Sequence, residues 1–415
     1  MKKISFLKCI GCGKEHELRD LIYTCDVCGS NLEVIYDYAL IKKRFKLKDL
    51  ENNRFYDIWR YVDLLPADDL NEISPLRVGY TPLYRFKKLA DEYDVEMIYI
   101  KDDSLNPSLS SKDRATAVVL KRMVDVIDVG RRFVACVSQG NIAASTACLA
   151  ASVGVKSIIF IPSKTPEPRL IQVFMYGAGV IKVDGSYDDA YELCKQACDK
   201  FGWFNRNSAY NPFTREGKKT ISFEIAEQLE WEVPDVIFVP VGNGNIISGI
   251  WKGFLEFKKI GFIDKLPKLV AVQAGGSNAI FKALSENKEV EKVNAQTICV
   301  SISVSMPRDA MAAINAVRES NGFVVNVSDD DVLSASLELS TKTGVFAEPS
   351  AASSFAGFKK ARSENKIESN QSVLLLISGY GVKDMSVKDK MNFKPGIYIK
   401  PDIKELERYI TKIVE

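Results

Sequence analysis

At 415 residues the chain has room for two domains and a short appendage, and 46% hydrophobic with 27% charged residues is the balance of an ordinary soluble globular protein. A formal net charge of +2 offers no basic field for nucleic acid or an anionic membrane, and no apolar run approaches the roughly 18–20 residues that span a bilayer. The single histidine, His16, lies near the N-terminus, which argues against Ser-His-Asp hydrolysis and histidine-based metal chemistry in the main body.

The opening "MKKISFLKCIGCGK" has too short an apolar segment for a signal peptide, so a cytoplasmic protein is expected. Cys9-Ile10-Gly11-Cys12 and Cys25-Asp26-Val27-Cys28 form a C-x2-C-x12-C-x2-C pattern. Glycines beside each pair let the turns aim four thiolates at one tetrahedral point, which predicts a closed, structural zinc ribbon; a redox CxxC would follow a strand in a βα unit. Residues 40–75 are charged and irregular and read as a connector.

From about residue 80 one theme repeats: a β-branched apolar run, a turn, an amphipathic stretch. Strands are predicted at 97–100, 133–137, 157–161, 180–183, 236–241, 269–273, 323–327 and 373–377, with helices at 142–152, 188–201 and 220–228. Continuous apolar strands alternating with helices imply parallel sheets covered on both faces, with ligands bound beyond the carboxyl ends of the strands.

The residues just after those runs are therefore the candidates. Lys112 sits in "NPSLSSKDRATA", where a strand gives way to a helix. Ser138-Gln139-Gly140-Asn141, Gly242-Asn243-Gly244-Asn245 and Ser378-Gly379-Tyr380-Gly381 follow three other runs. A glycine-rich turn entering a helix presents backbone N–H groups at the positive end of the helix dipole and suits a phosphate. Alone, GNGN reads equally well as a tight βα turn, and it is neither G-x-G-x-x-G nor a Walker loop. Cys136, Cys148 and the Cys194–Cys198 pair read as buried thiols, and Lys218-Lys219 as a solvated face or the rim of an anion site. The C-terminal "IKELERYITKIVE" predicts an amphipathic helix.

"YTPLYRFKKLA", "NPSLSSKDR", "SQGN", "VPVGNGNIISGIWKGF", "GVFAEPSAA" and "SGYGVKD" occur in the order seen in the fold-type II pyridoxal-phosphate enzymes, which the chain resembles. The cysteine ribbon, "NPFTREGKKTISFEIAEQLEW" and "PRDAMAAINAVRESNGF" narrow the resemblance to zinc-ribbon threonine synthases, over Cys9 to about Asp384. The implied fold is α/β: two doubly wound parallel-sheet domains with the cofactor between them, plus the ribbon. The implied divisions are a ribbon at 1–38, a connector and the start of the large domain at 39–114, a smaller mobile α/β domain at 115–215, and the remainder of the large domain with a C-terminal helix at 216–415.

The resemblance also implies pyridoxal 5'-phosphate with structural Zn2+ on Cys9, Cys12, Cys25 and Cys28, and a homodimer. Lys112 matches the lysine that forms the Schiff base, Asn141 the residue on the phenolic oxygen, Gly242, Asn243, Gly244 and Asn245 the phosphate cradle, and Ser378 the hydroxyl at the pyridine nitrogen. The implied reaction converts O-phospho-L-homoserine and water to L-threonine and phosphate by γ-elimination and β-addition, with Lys112 shuttling protons. Ser111, Ser138, Gln139, Arg215, Lys218 and Arg308 are the candidate substrate contacts.

Several positions depart from the family pattern. Leu109 stands for a small residue, Ser111 for phenylalanine, Ile142 for threonine, Thr214 for arginine, Ile246 for asparagine, and Ser305-Met306 for a Gly-Asn-like pair. A phosphorylated substrate loses donors by these changes. Either Arg215, Lys218 and Arg308 compensate, or the chain is a paralogue acting on another amino acid, as a β-replacing synthase or a serine/threonine-type ammonia lyase. A degenerate scaffold would have no reason to keep Lys112, Asn141 and Ser378 together.

Overall fold

In the computed structural model, residues 3–18, 22–385 and 398–414 are described. The chain divides into two compact units, Met1–Asp384 and Met385–Glu415. The second holds a helix at Ile403–Val414, as the C-terminal pattern predicts.

The first unit contains three sheets. Strands β1 (Ile4–Cys9), β2 (Glu15–His16) and β3 (Leu32–Tyr36) pair antiparallel in the order β2-β1-β3 and form the ribbon. Next in the chain come β4 (Leu83–Arg85) and β5 (Met97–Asp102), then β6 (Phe133–Val137), β7 (Lys156–Pro162), β8 (Gly179–Val183) and β9 (Phe204–Asn205). The last four are β10 (Val236–Pro240), β11 (Lys268–Ala274), β12 (Phe323–Val327) and β13 (Ser372–Ile377). The large sheet runs β12-β11-β10-β13-β5-β4 and is parallel except for β4, which pairs antiparallel with β5; the small sheet, β8-β7-β6-β9, is wholly parallel.

Every residue of β10 is buried, as is β13 from Val373 to Ile377, because helices cover both faces. Phe358, from helix Pro349–Ser363, meets Phe238 edge-on at 5.7 Å between ring centroids, while Ile247, Ile250 and Phe254 of helix Asn245–Ile260 are buried on another layer. Each such side chain contributes about 1.5–3 kcal/mol of burial.

All eight predicted strands are present, with ends differing by a residue or two, and the helix predicted at 142–152 begins one residue earlier, at Asn141. Residues 40–75 are more ordered than their charge suggests. Helices Tyr38–Arg44 and Leu47–Asn52 and a 3-10 segment at Ile58–Leu64 carry Ile41, Leu50, Trp59, Tyr61 and Leu64 into the core. Apolar residues there recur at short-helix spacing, a pattern diluted by interleaved lysines and aspartates. Among the described residues, no helix is long and apolar enough to cross a membrane.

Candidate active site

β5 ends at Asp102, and the chain turns through Asn106, Leu109 and Ser111 before Lys112 opens the helix Lys112–Val126. Asp113 holds the turn from inside the helix: its carboxylate accepts the Ser108 N–H at 2.7 Å and the Ser108 hydroxyl at 2.6 Å. The turn is stitched to the one that follows β13, the strand beside β5. Ser111 N–H donates to Ser378 O at 2.9 Å, and Tyr380 N–H donates to Leu109 O at 3.2 Å. Leu109 has φ 64°, a left-handed conformation costing an L-residue about 1–2 kcal/mol, at the position where the family pattern places a small residue.

One residue beyond Asp113, Arg114 is fully buried and forked. Its Nε and Nη2 reach Asp103 at 2.9 and 2.6 Å, and its Nη2 reaches Glu224 at 2.7 Å. Glu224 also pairs with Lys101 at 2.7 Å and accepts the Tyr80 N–H at 2.6 Å. The first turn bearing Lys112 is thus fixed by backbone bonds on one side and a buried ion network on the other.

Two more buried cations press on the same turn. Arg206 Nη2 donates to Lys112 O at 3.2 Å and Arg206 Nε to Thr116 Oγ1 at 3.0 Å; Lys218 Nζ donates to Ser111 O. Among the described residues, neither Arg206 nor Lys218 forms an ion pair with a carboxylate. Burial lowers Lys112 to about 8, with Glu348 opposing and Arg206 assisting. Burial, with the Lys112 and Arg206 charges, drives Lys218 well below the usual lysine range. Lys218-Lys219 is therefore not a solvated face: both are buried, and Lys219 pairs with Glu216 at 2.6 Å and Glu256 at 2.8 Å.

Lys112 opens into a cavity of about 460 Å³ shared with Ser138, Gln139, Asn141, Asn243 and Arg308. These come from the turns after β6 and β10 and from the loop before helix Ala310–Glu319, so the carboxyl ends of both sheets contribute. Asn141 is the first residue of its helix, and its Nδ2 donates to Ser301 Oγ at 3.1 Å and to Glu348. Arg308 lies with Cζ 3.8 Å from the Tyr191 ring centroid and Nη2 3.1 Å from Asp188 Oδ1.

The turn at 242–245 is closely covered. A Cβ on Gly242 would fall 2.8 Å from Ile302 Cα, and one on Gly244, at φ 95°, would fall 2.8 Å from Asp309 O. Only glycine fits at either place. Helix Asn245–Ile260 starts directly behind, so the turn stands at the positive end of a helix dipole.

The other predicted contacts lie behind the cavity. Ser111 is buried and receives Lys218; Ser378 is buried and offers its carbonyl to Ser111; Arg215 is buried against Asp309 at 2.5 Å. Sequence reasoning did not single out Glu348, Ser301 or Asp309. A glutamate before a proline that opens a helix ("AEPSAA") and an acid after Pro-Arg ("PRDA") were the available signals. Glu348 is buried beside Gly379, where a Cβ would fall 2.6 Å from its Cδ, and burial raises its pKa.

In the ribbon, Cys9 and Cys28 Sγ are 3.4 Å apart, Cys12 and Cys25 Sγ 3.7 Å, and all four lie within 4.8 Å of one another. A tetrahedral Zn with Zn–S of about 2.3 Å puts its sulfurs about 3.8 Å apart, so the four thiols fit that ion.

Residues 75–379 match the family described as pyridoxal-phosphate dependent enzyme. Threonine synthase of Methanocaldococcus jannaschii is 39% identical over 98% of this chain and 99% of its own length; that of Methanosarcina acetivorans is 37% identical over 91% and 92%. Threonine synthase of Mycobacterium bovis is 34% identical over 81% of this chain and 91% of its own. Among solved structures, the processed form of threonine deaminase isoform 2 from Solanum lycopersicum superposes with a TM-score of 0.65 at 22% identity, covering 84% of this chain and 94% of that one. That likeness is one of fold.

Proposed function

The chain belongs to the pyridoxal-phosphate dependent enzymes, in their threonine synthase branch, and we propose from this that it converts O-phospho-L-homoserine and water to L-threonine and phosphate. The observation that carries the assignment of residues is the single cavity joining Lys112, Asn141 and Asn243 at the carboxyl ends of two parallel sheets.

The residues present suit the cofactor: a buried amine of lowered pKa, a carboxamide, and a glycine turn at a helix N-terminus whose Cβ positions are already filled. Bound, pyridoxal phosphate supplies an electron sink for carbanions of the amino acid substrate. Lys112 is assigned to hold it, with Gly242, Asn243, Gly244 and Asn245 on its phosphate, Asn141 toward its phenolic oxygen and Ser378 toward its ring nitrogen. A hydroxyl at that nitrogen, unlike a carboxylate, does not hold a proton there.

Lys112 Nζ, neutral in part near pH 8, is the base that takes the proton from substrate Cα and returns protons to the carbon skeleton. Ser138, Gln139 and Arg308 line the cavity and are assigned to the substrate; Arg308 is the cation there besides Lys112 among the described residues. Ser111, Arg215 and Lys218 act from behind: Lys218 and Ser111 on the backbone of the lysine turn, Arg215 on the loop that carries Arg308. Structural Zn2+ on Cys9, Cys12, Cys25 and Cys28 completes the reading, together with the division into ribbon, large and small domains and a cytoplasmic homodimer.

A substrate panel with the purified holoenzyme tests it. Release of phosphate and threonine in equal amounts from O-phosphohomoserine is expected. Phosphate without threonine, or turnover of serine, threonine or O-phosphoserine instead, would favour a paralogue, a reading that the loss of family donors at Ile142, Thr214 and Ile246 keeps open.

A further inference from the structure

Asp309 is buried, and its carboxylate is shared among four donors from three separate parts of the first unit. Oδ1 receives Arg215 Nη2 at 2.5 Å, from helix Phe213–Lys218, and Asn31 Nδ2 at 3.2 Å, from the ribbon. Oδ2 receives Asn245 Nδ2 and Ser248 Oγ, each at 3.1 Å, from the first turn of helix Asn245–Ile260. Its backbone continues the same grip: Asp309 N–H donates to Asn243 O at 2.9 Å, and the preceding Arg308 N–H to Asn243 Oδ1 at 3.1 Å.

These contacts converge on the turn at 242–245. Asn243 is held at its carbonyl and its side chain, Gly244 packs against Asp309 O, and Asn245 is held at its amide. A carboxylate so close to an anion cradle would repel a phosphate unless neutralised, and Arg215 supplies that charge at ion-pair distance. Arg215 Nη1 and Asn245 Oδ1, both buried, have no hydrogen-bond partner among the described residues, so the corner retains polar capacity beyond what they use.

We infer that Asp309 is a positioning residue for the phosphate-binding turn at 242–245, with Arg215 as the counter-charge that lets the turn accept a dianion. The role rests on the cofactor reading above and is independent of the substrate. It separates Arg215 from the substrate contacts, since its Nη2 is committed to Asp309 and its Nε to Ser248 Oγ.

Pyridoxal, which lacks the phosphate, provides the control. The cofactor-free full-length chain is titrated with pyridoxal 5'-phosphate and, separately, with pyridoxal, following the visible colour that either produces. Arg215→Met leaves the Asp309 carboxylate bare beside the turn, and Asp309→Asn sets an amide donor against the Asn245 amide. Each is expected to weaken pyridoxal phosphate roughly tenfold while pyridoxal changes by less than about twofold. Equal losses for both compounds would mean a merely structural role, and unchanged affinity for both would mean none; either overturns the inference. A wild-type chain that takes up neither compound would overturn the cofactor reading and this role with it. Failure to make threonine, with the phosphate-selective loss intact, would count against the substrate assignment alone.

Discussion

Asn141 Nδ2 lies 3.0 Å from both carboxylate oxygens of Glu348, tying the first residue of one helix to the residue before another. Glu348 is also the carboxylate that most opposes the depression of Lys112. Glu348→Gln keeps the shape and removes the charge, so Lys112 should fall further below about 8. Neutral amine, the form that attacks a carbonyl, then predominates from a lower pH. The midpoint of colour development with pyridoxal phosphate, followed against pH, is expected to move toward acid. A shift toward alkali would show that Glu348 does not act on Lys112.

Lys112→Ala should leave the protein colourless with added pyridoxal phosphate and lower kcat by at least about a thousandfold. The fold should survive, because the substitution removes one of three neighbouring cations and relieves its repulsion with Lys218 and Arg206. The melting temperature of the cofactor-free variant is therefore expected to match or exceed that of the cofactor-free wild type. In the wild type the lowered pKa sets the sign: an unfolded chain holds the Lys112 proton up to the ordinary lysine range, while the folded one releases it near about 8. That group's contribution to cofactor-free stability rises with pH across this window.

The ion network beneath the lysine turn yields a third expectation. Arg114→Met strands Asp103 and Glu224, both fully buried, and leaves Lys101, paired with Glu224, and the charge of Lys218 near Asp103 to offset them in part. Breaking a buried pair in this way costs about 3–5 kcal/mol, and urea denaturation measures it. Both carboxyls lie below their usual range in the folded wild type despite burial, because Arg114 faces each of them. Their stabilisation is present above the ordinary carboxylate range and fades as pH falls through the depressed values. In the variant the sign reverses: acid protonates the stranded carboxylates, so the gap to wild type should narrow at low pH.

The parallel sheets were legible because β10 and β13 are buried on both faces, which writes a continuous apolar run into the sequence. The placement of Lys112, Asn141 and the glycine turn was legible because carboxyl-end positions follow such runs directly. Glu348 and Asp309 were not, since their roles arise from contacts more than sixty residues away, such as Asp309 with Asn245 and Glu348 with Asn141. Lys218 was ambiguous for the same reason. A lysine beside a lysine reads as surface until the fold closes over it, with Glu216 and Glu256 supplied to Lys219 and, among the described residues, no carboxylate paired with Lys218. The strain at Leu109 was equally hidden: the substitution was visible, but its φ was not.

The ribbon is tied into the body, and this decides what metal loss should do. Tyr36 Oη donates to Glu216 Oε2 at 2.6 Å, Lys252 Nζ to Val34 O, and Asn31 Nδ2 to Arg308 O at 2.7 Å. Cys9 and Cys25 are themselves buried among core residues. Without an ion, four thiols crowded within 4.8 Å have no common partner, and folding loses the free energy of metal binding. Metal analysis is expected to find one zinc per chain. Stripping it with a chelator should lower the melting temperature of the whole first unit in one transition, since the ribbon shares a buried charge network with the body. It should also weaken pyridoxal phosphate through Asn31, whose two bonds hold the Arg308 carbonyl and the Asp309 carboxylate beside the turn at 242–245. Asn31→Ala with the metal in place separates the two effects. That variant should reproduce the loss of cofactor affinity while leaving zinc content and most of the thermal stability as they were. A chelated protein that keeps full affinity would show that the ribbon's grip on this loop does not depend on the ion.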